Sequence, residues 1–259
     1  NFCQELFHLA HFFPKSNHSL FIHDDFVSQT NNNFLKTILN YQFKKSIGIY
    51  KNYAVFCSSS MLIKKVNKVE AVKKTSLFYP WAQKSFKGET YFSSDKNTRR
   101  SILFWGVKND CIDWDFLKNL ENEIINKGPL YKFIDRVLIV GPWARKNMFL
   151  AKQLQSLKTK EVIKDLNTTE FSELPLKSVL AGIIPFKENH NNSLLDVELS
   201  NKSFSYLEYG IPIIIKGLPN FLEKPFFPKI KTNLDLYKCL DLIKNSSELN
   251  KQIETFYYA

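Results

Sequence analysis

Short apolar runs alternate along the chain with stretches whose apolar positions recur every three or four residues, so strands and helices are expected in turn. "SLFIHDDF" (19–26) reads as a strand ending in two carboxylates, and helical spacing follows through 33–47. "YAVFCSSSMLIKKV" (53–66) reads as a buried strand, then a serine-rich turn capping a helix; "TSLFYPWA" (75–82) is a further strand, stopped at Pro80. Residues 84–100, "KSFKGETYFSSDKNTRR", hold neither period and are predicted as a linker.

A second series begins after it. "SILFWG" (101–106) is a strand ending at glycine, and 113–128 a helix with Asp near its start and Gly at its end. "RVLIVGP" (136–142) is a strand, followed by a helix from about Lys146 to Leu157 and a short strand at 160–166. Residues 169–178 offer a helix or turn, 179–186 a fully buried strand, and "SNKSFSYLEYGIPIII" (200–215) a helix, a tight turn and another buried strand. A last helix covers 232–245. Apolar strands separated by helices imply parallel sheets with right-handed crossovers. The expected class is therefore α/β with two Rossmann-like domains, at 1–92 and 93–259, the second complete and the first short of strands. The run "NFCQELFHLAHFF" shows neither a positive leader nor a cleavage site, and the chain starts without Met, which predicts a fragment or a processed product.

Composition narrows the class. With 44% hydrophobic and 24% charged residues in 259, the chain is an ordinary globular one, and no apolar run reaches the length of a spanning helix. Cys3, Cys57, Cys111 and Cys239 form no CxxC and stand near no histidine, so they read as reduced cytoplasmic thiols. No histidine pair has the spacing of a metal site, and no metal or cofactor is expected. A net charge of +11 invites a nucleic-acid partner, yet only Arg99, Arg100, Arg136 and Arg145 are arginines and the lysines spread along the chain. The same charge suits phosphorylated ligands or peripheral contact with an anionic membrane face.

Ligands of open α/β sheets bind at the carboxyl ends of the strands. There the second series places Gly106 with Lys108, Gly141 with Arg145, Pro185 with Phe186, and the helix start Ser200, Asn201, Lys202. Glycine lets a backbone approach phosphate, and helix starts with nearby cations favour anions. Together they predict a site for a phosphorylated, nucleotide-linked ligand. At the end of the first strand, Asp24 and Asp25 serve either as helix caps or as cleft carboxylates, with His23 beside them as an acid–base or sugar-binding candidate.

The order of these segments resembles the GT-B glycosyltransferases that build bacterial surface polysaccharides. The resemblance is carried by "ILFWGVKNDCIDWDFL" (102–117), "RVLIVGP" (136–142), "LAGIIPFKEN" (180–189) and "SNKSFSYLEYGIPIII" (200–215), in register over 101–245. "FIHDDF" and "AVFCSSSML" match the family more loosely. The resemblance implies a GT-B-like fold and transfer of a sugar from a nucleoside diphosphate sugar to a carbohydrate or lipid-linked acceptor. It implies donor contacts from Gly106, Lys108, Arg145, Ser200 and Lys202, with no obligatory metal. It also puts Ser205 where the family usually carries a ribose-binding glutamate; Glu208, about one turn on, is the alternative ribose partner. Two other readings stay open: another GT-B enzyme such as a nucleotide-sugar epimerase, and a basic nucleic-acid-binding module.

Overall fold

The computed structural model describes residues 18–22, 32–69, 72–78, 86–88, 98–142, 162–166, 171–188 and 197–259. The chain divides into two compact units, Asn1–Pro80 with Asn191–Leu199 and Trp81–His190 with Ser200–Ala259.

In the first unit, strands β1 (Ser19–Ile22), β2 (Ala54–Cys57) and β3 (Lys74–Leu77) form a parallel sheet in sequence order, Ile22 opposite Cys57 and Cys57 opposite Leu77. Helices α1 (Asn33–Tyr50) and α2 (Ser60–Val69) connect them. Asn32 caps α1 by accepting the Leu35 amide at 3.0 Å, and buried Ser59 caps α2 through the Leu62 amide at 3.2 Å, as the serine-rich turn predicts. Ile22, Ile47, Tyr50, Val55, Cys57, Leu62 and Val66 make the core. Burial pushes the Cys57 thiol up to about 11, so it packs as a small apolar group.

The second unit carries a five-stranded parallel sheet: β4 (Ser101–Trp105), β5 (Arg136–Val140), β6 (Ile163–Leu166), β7 (Val179–Pro185) and β8 (Ile213–Lys216), in the order β6-β5-β4-β7-β8. Every residue of β7 and β8 is buried, which explains the unbroken apolar sequence of β7 and of 213–215 in β8. Among the described residues this unit contains the α-helices α3 (Trp114–Ile125), α4 (Asn201–Glu208), α5 (Asn233–Asn245) and α6 (Leu249–Tyr258). Asp113 caps α3 and Thr232 forms a capping box with Asp235. Residues 169–178, left open between helix and turn, supply two 3-10 turns, Phe171–Glu173 and Leu176–Ser178.

Two local expectations shift. The glycine predicted to end α3 is not the residue that turns left-handed. Lys127 takes that conformation at φ 52°, and Gly128 follows it, donating to Glu123 O at 2.9 Å. The ends of the stretch read as a linker are also anchored. Arg99 is buried, Arg100 Nε pairs with Asp135 at 3.0 Å, and the Lys87 amide donates to Glu208 O at 2.6 Å. The expected helix at 146–157 lies outside the described residues.

Candidate functional site

The chain runs outward from β4 through β5 to β6, then returns to β7 and β8 on the other side of β4. Its topological switch therefore lies between the carboxyl ends of β4 and β7, where open sheets of this kind bind ligands. Gly106 leaves β4 with φ 153° and donates to Val140 O at 2.9 Å; Gly141 leaves β5 with φ 122°. A Cβ on Gly141 would overlap the Gly106 carbonyl. The two strand ends are thus packed backbone to backbone, which only glycine permits.

Helix α4 brings the cation. Its start sits at the switch because Tyr206, fully buried one turn on, is tied to the central strand β4: its hydroxyl donates to Leu103 O at 2.9 Å and accepts the Trp105 amide at 2.7 Å. Gly182 of β7 makes room, since a Cβ there would stand 2.5 Å from the Tyr206 ring. At the other end of α4, Gly210 (φ 68°) donates to Leu207 O at 2.9 Å and Ile211 to Tyr206 O at 3.0 Å, the two bonds of a Schellman turn into Pro212 and β8. The helix is held at both ends.

The Lys202 side chain consequently lies across Gly106. A Cβ at 106 would come within 2.6 Å of its Cε and 3.0 Å of its Cδ, and its Nζ stands 5.7 Å over the Phe104 ring. Burial holds the Lys202 ammonium below the usual lysine range, with nearby Cys111 opposing slightly. Ser200 occupies the N-cap position of α4 without a side-chain capping bond, its hydroxyl 3.0 Å from Ser203 Oγ. A helix start without an N-cap side-chain bond and a desolvated ammonium over a glycine turn make an arrangement suited to an anion.

The remaining candidates divide. Ser205 is half-buried and three residues from Lys202, on neighbouring positions of the helix surface. Glu208 is buried near the far end of α4 and pairs with Lys87, whose Nζ also stands 5.0 Å over the Tyr209 ring. Lys108 is buried rather than presented to solvent, its amide donating to Pro142 O at 2.9 Å. Pro185 O accepts the Asp113 amide at 2.7 Å, and Phe186 bridges to Ile112. Asn201 opens α4. His23, Asp24, Asp25 and Arg145 lie outside the described residues.

Three contributors escape sequence reasoning. Asp113 caps α3 and pairs with Lys216 at 2.8 Å, tying the end of β8 to the loop after β4. Cys111 lies within electrostatic reach of both Lys187 and Lys202. Burial, joined by Asp110, raises its thiol. Gly217 (φ 74°) is packed against the Phe186 carbonyl, and beside it opens a cavity of about 450 Å³ lined by Glu188, Leu218, Lys229 and Lys231. A strand-glycine signal could have found Gly217; the Asp113–Lys216 pair spans about a hundred residues and left no local pattern.

No protein-family model and no curated protein matches the sequence. Solved structures do. The Glycosylation Associate Protein (Gap123) complex from Streptococcus agalactiae superposes with a TM-score of 0.62 at 14% identity, over 99% of this chain and 49% of that one. TarM gives 0.61 at 12% identity, over 97% and 48%. A trehalose-6-phosphate structure from E. coli, bound with UDP-2-fluoro glucose, gives 0.64 at 9% identity, over 98% and 67%. The chain spans about half the length of the first two.

Proposed function

The chain has the α/β fold of the GT-B glycosyltransferases, and we propose that it belongs to an enzyme that moves a sugar from a nucleoside diphosphate sugar to a carbohydrate or lipid-linked acceptor in surface polysaccharide synthesis. The observation that carries this reading is the placement of Lys202 across Gly106 at the switch point, beside a helix start without an N-cap side-chain bond. Structures with the same fold hold UDP with glucose, UDP-2-fluoro glucose, or UDP with an α-GlcNAc-glycerol, so a uridine donor is the first to test.

In the reaction the acceptor hydroxyl oxygen bonds to the anomeric carbon while the bond from that carbon to the β-phosphate oxygen breaks. The leaving nucleoside diphosphate gains negative charge, which the Lys202 ammonium and the first amides of α4 stabilise from fixed positions. No metal is required for this role. The hydroxyl proton passes to a base, for which Asp24, Asp25 and His23 are the sequence candidates. Arg145 adds a second cation to the donor in this reading, and Ser205 meets the ribose. Glu208 takes that role only if Lys87 releases it. Nucleotide sugars are cytoplasmic donors, which puts the site on that side of the membrane; no described helix is long and apolar enough to cross one.

Calorimetric titration of UDP and GDP into the chain, with Lys202→Ala, Gly106→Val and Ser205→Glu, tests the site. Both of the first two variants lose affinity, and Ser205→Glu gains up to about tenfold from a charge-assisted bond to the ribose. Unchanged affinity in Lys202→Ala and Gly106→Val removes the site. Product analysis with the full-length protein separates the chemistries: sugar transferred to an acceptor supports the reading, whereas an isomerised donor indicates an epimerase.

A further inference from the structure

The first unit contains a surface that the donor site does not explain. Among the described residues twelve large apolar side chains are exposed, and four of them, Phe34, Leu35, Ile38 and Tyr41, fall within eight consecutive positions of α1. Phe34 is 76% exposed and Tyr41 66%. Phe34, Ile38 and Tyr41 recur at the spacing of one helix face, and exposed Lys45 continues the same line with Lys44 beside it. The helix that carries them is fully formed: Asn32 caps it, and the Thr37 hydroxyl donates to Asn33 O at 3.0 Å. Residues 33–38 are exposed on every side, so this end of α1 projects from the unit's core, which α1 meets from Phe43 onward.

The charge around this stripe is one-sided. The lysines of the chain are spread, but its acids are not: residues 32–78 hold nine lysines and a single acid, Glu70, a net +8 of the chain's +11. Helix α1 has no acidic residue at all. An apolar stripe bordered only by lysines fits a partner that is negative at its surface and apolar just beneath. A second copy of this chain would bring the same lysines, Lys44 and Lys45, against one another. A polynucleotide would neutralise the lysines and leave Leu35 and Ile38 in water. An anionic bilayer satisfies both parts, because phosphates lie at its surface and acyl chains about 5–10 Å below, within reach of a helix lying in the interface.

We propose that α1 is a membrane-docking helix, lying in the headgroup layer of an anionic bilayer with Phe34, Leu35, Ile38 and Tyr41 entering the acyl boundary and Lys44 and Lys45 facing lipid phosphates. Docking of this kind is peripheral and reversible, and it gives the protein access to substrates held in the lipid. It stands independently of the donor site, since lipid binding is measured without nucleotide or transfer.

The test is co-sedimentation of the 259-residue chain with phosphatidylcholine vesicles, pure or containing about one-third phosphatidylglycerol. Binding is expected to the anionic vesicles and not to the pure ones. Reversing charge in Lys44→Glu/Lys45→Glu lowers the partition coefficient by about thirtyfold or more, from roughly fivefold per lysine removed. Phe34→Ser/Ile38→Ser lowers it roughly tenfold or more, with an unchanged melting curve because both positions are exposed. As a second readout, Phe34→Trp adds fluorescence that brominated acyl chains quench. Absence of vesicle binding overturns the proposal. So does binding indifferent to Phe34→Ser/Ile38→Ser, or tighter binding to polyuridylate than to the vesicles, since either marks a merely cationic surface.

Discussion

The two units use the same alternation of strand and helix yet cover their sheets to different depths. In the second, β7 is buried along all seven residues and β8 along all four. In the first, β2 alternates between buried and half-buried, β1 exposes Ser19 and Phe21, and β3 is exposed at both ends. Phe21, half-exposed, stacks on Phe56 at 4.9 Å, while their neighbours Ile22, Val55 and Cys57 fill the core. Acids are also unevenly placed: residues 32–78 of the thinly covered unit hold a single one, Glu70. The lesson is a division of labour. The unit with the deeper sheet can hold a desolvated lysine at a fixed glycine turn, and the shallower one offers apolar and cationic side chains to its surroundings.

The severest way to break this contrast is Gly182→Val. With the Tyr206 ring already 2.5 Å from an added Cβ, the change should destabilise the second unit by about 3 kcal/mol or more, measured by denaturant unfolding. The corresponding insertion on the half-buried face of the first sheet, Ser76→Val, should stay within about 0.5 kcal/mol. Equal losses would show that the two sheets are equally tight.

Lys202→Met separates stability from binding. The folded chain holds this ammonium below the usual range because of burial, so the unfolded state binds the proton more tightly. The lysine therefore subtracts stability at neutral pH, and that loss is recovered as pH rises from the lowered folded value towards the ordinary one. The variant should be more stable at pH 7, by on the order of 1 kcal/mol, and should lose UDP affinity by roughly tenfold or more. Wild-type affinity should fall on the alkaline side at a lower pH than for a surface lysine. A variant less stable than wild type at pH 7 would contradict the burial argument.

Smaller changes sharpen the same picture. Lys127→Gly removes a left-handed non-glycine residue and should raise the melting temperature, with a gain of about 0.5–1 kcal/mol. Lys87→Met removes the partner of Glu208. Lys87 is held above the usual range chiefly by its hydrogen bond to Glu208, so the pair's contribution is present at neutral pH and lost only as pH rises through that raised value. Because the lysine is 44% exposed, screening limits the cost to about 0.5 kcal/mol, read by thermal unfolding at pH 7 and above the lysine range.

Much of this architecture was legible in the chain. Continuous apolar runs marked β4, β5, β7 and β8, because strands buried on both faces need no polar alternation. Gly106, Gly141 and the helix start at Lys202 were legible as phosphate-favouring positions, each being a local signal. Their convergence on one site was also expected from the strand ends, but the lie of the Lys202 side chain across Gly106 was not. Nor was the pairing of Glu208 with Lys87, whose partner lies in a stretch that composition alone assigned to a linker. The helix stop at Lys127 was misplaced by one residue, because a Schellman turn needs a left-handed residue and its context can impose that on lysine.

The sequence by itself determined the elements, their parallel pairing class, the glycines at the strand ends and the scarcity of acids in 32–78. These follow from propensity, periodicity and charge, which act over a few residues. Only the tertiary structure decided that β7 returns beside β4, that Tyr206 locks α4 against Leu103 and Trp105, and that Lys202 crosses Gly106 out of water. Desolvation depends on what is packed around a group, and groups a hundred residues apart do the packing here.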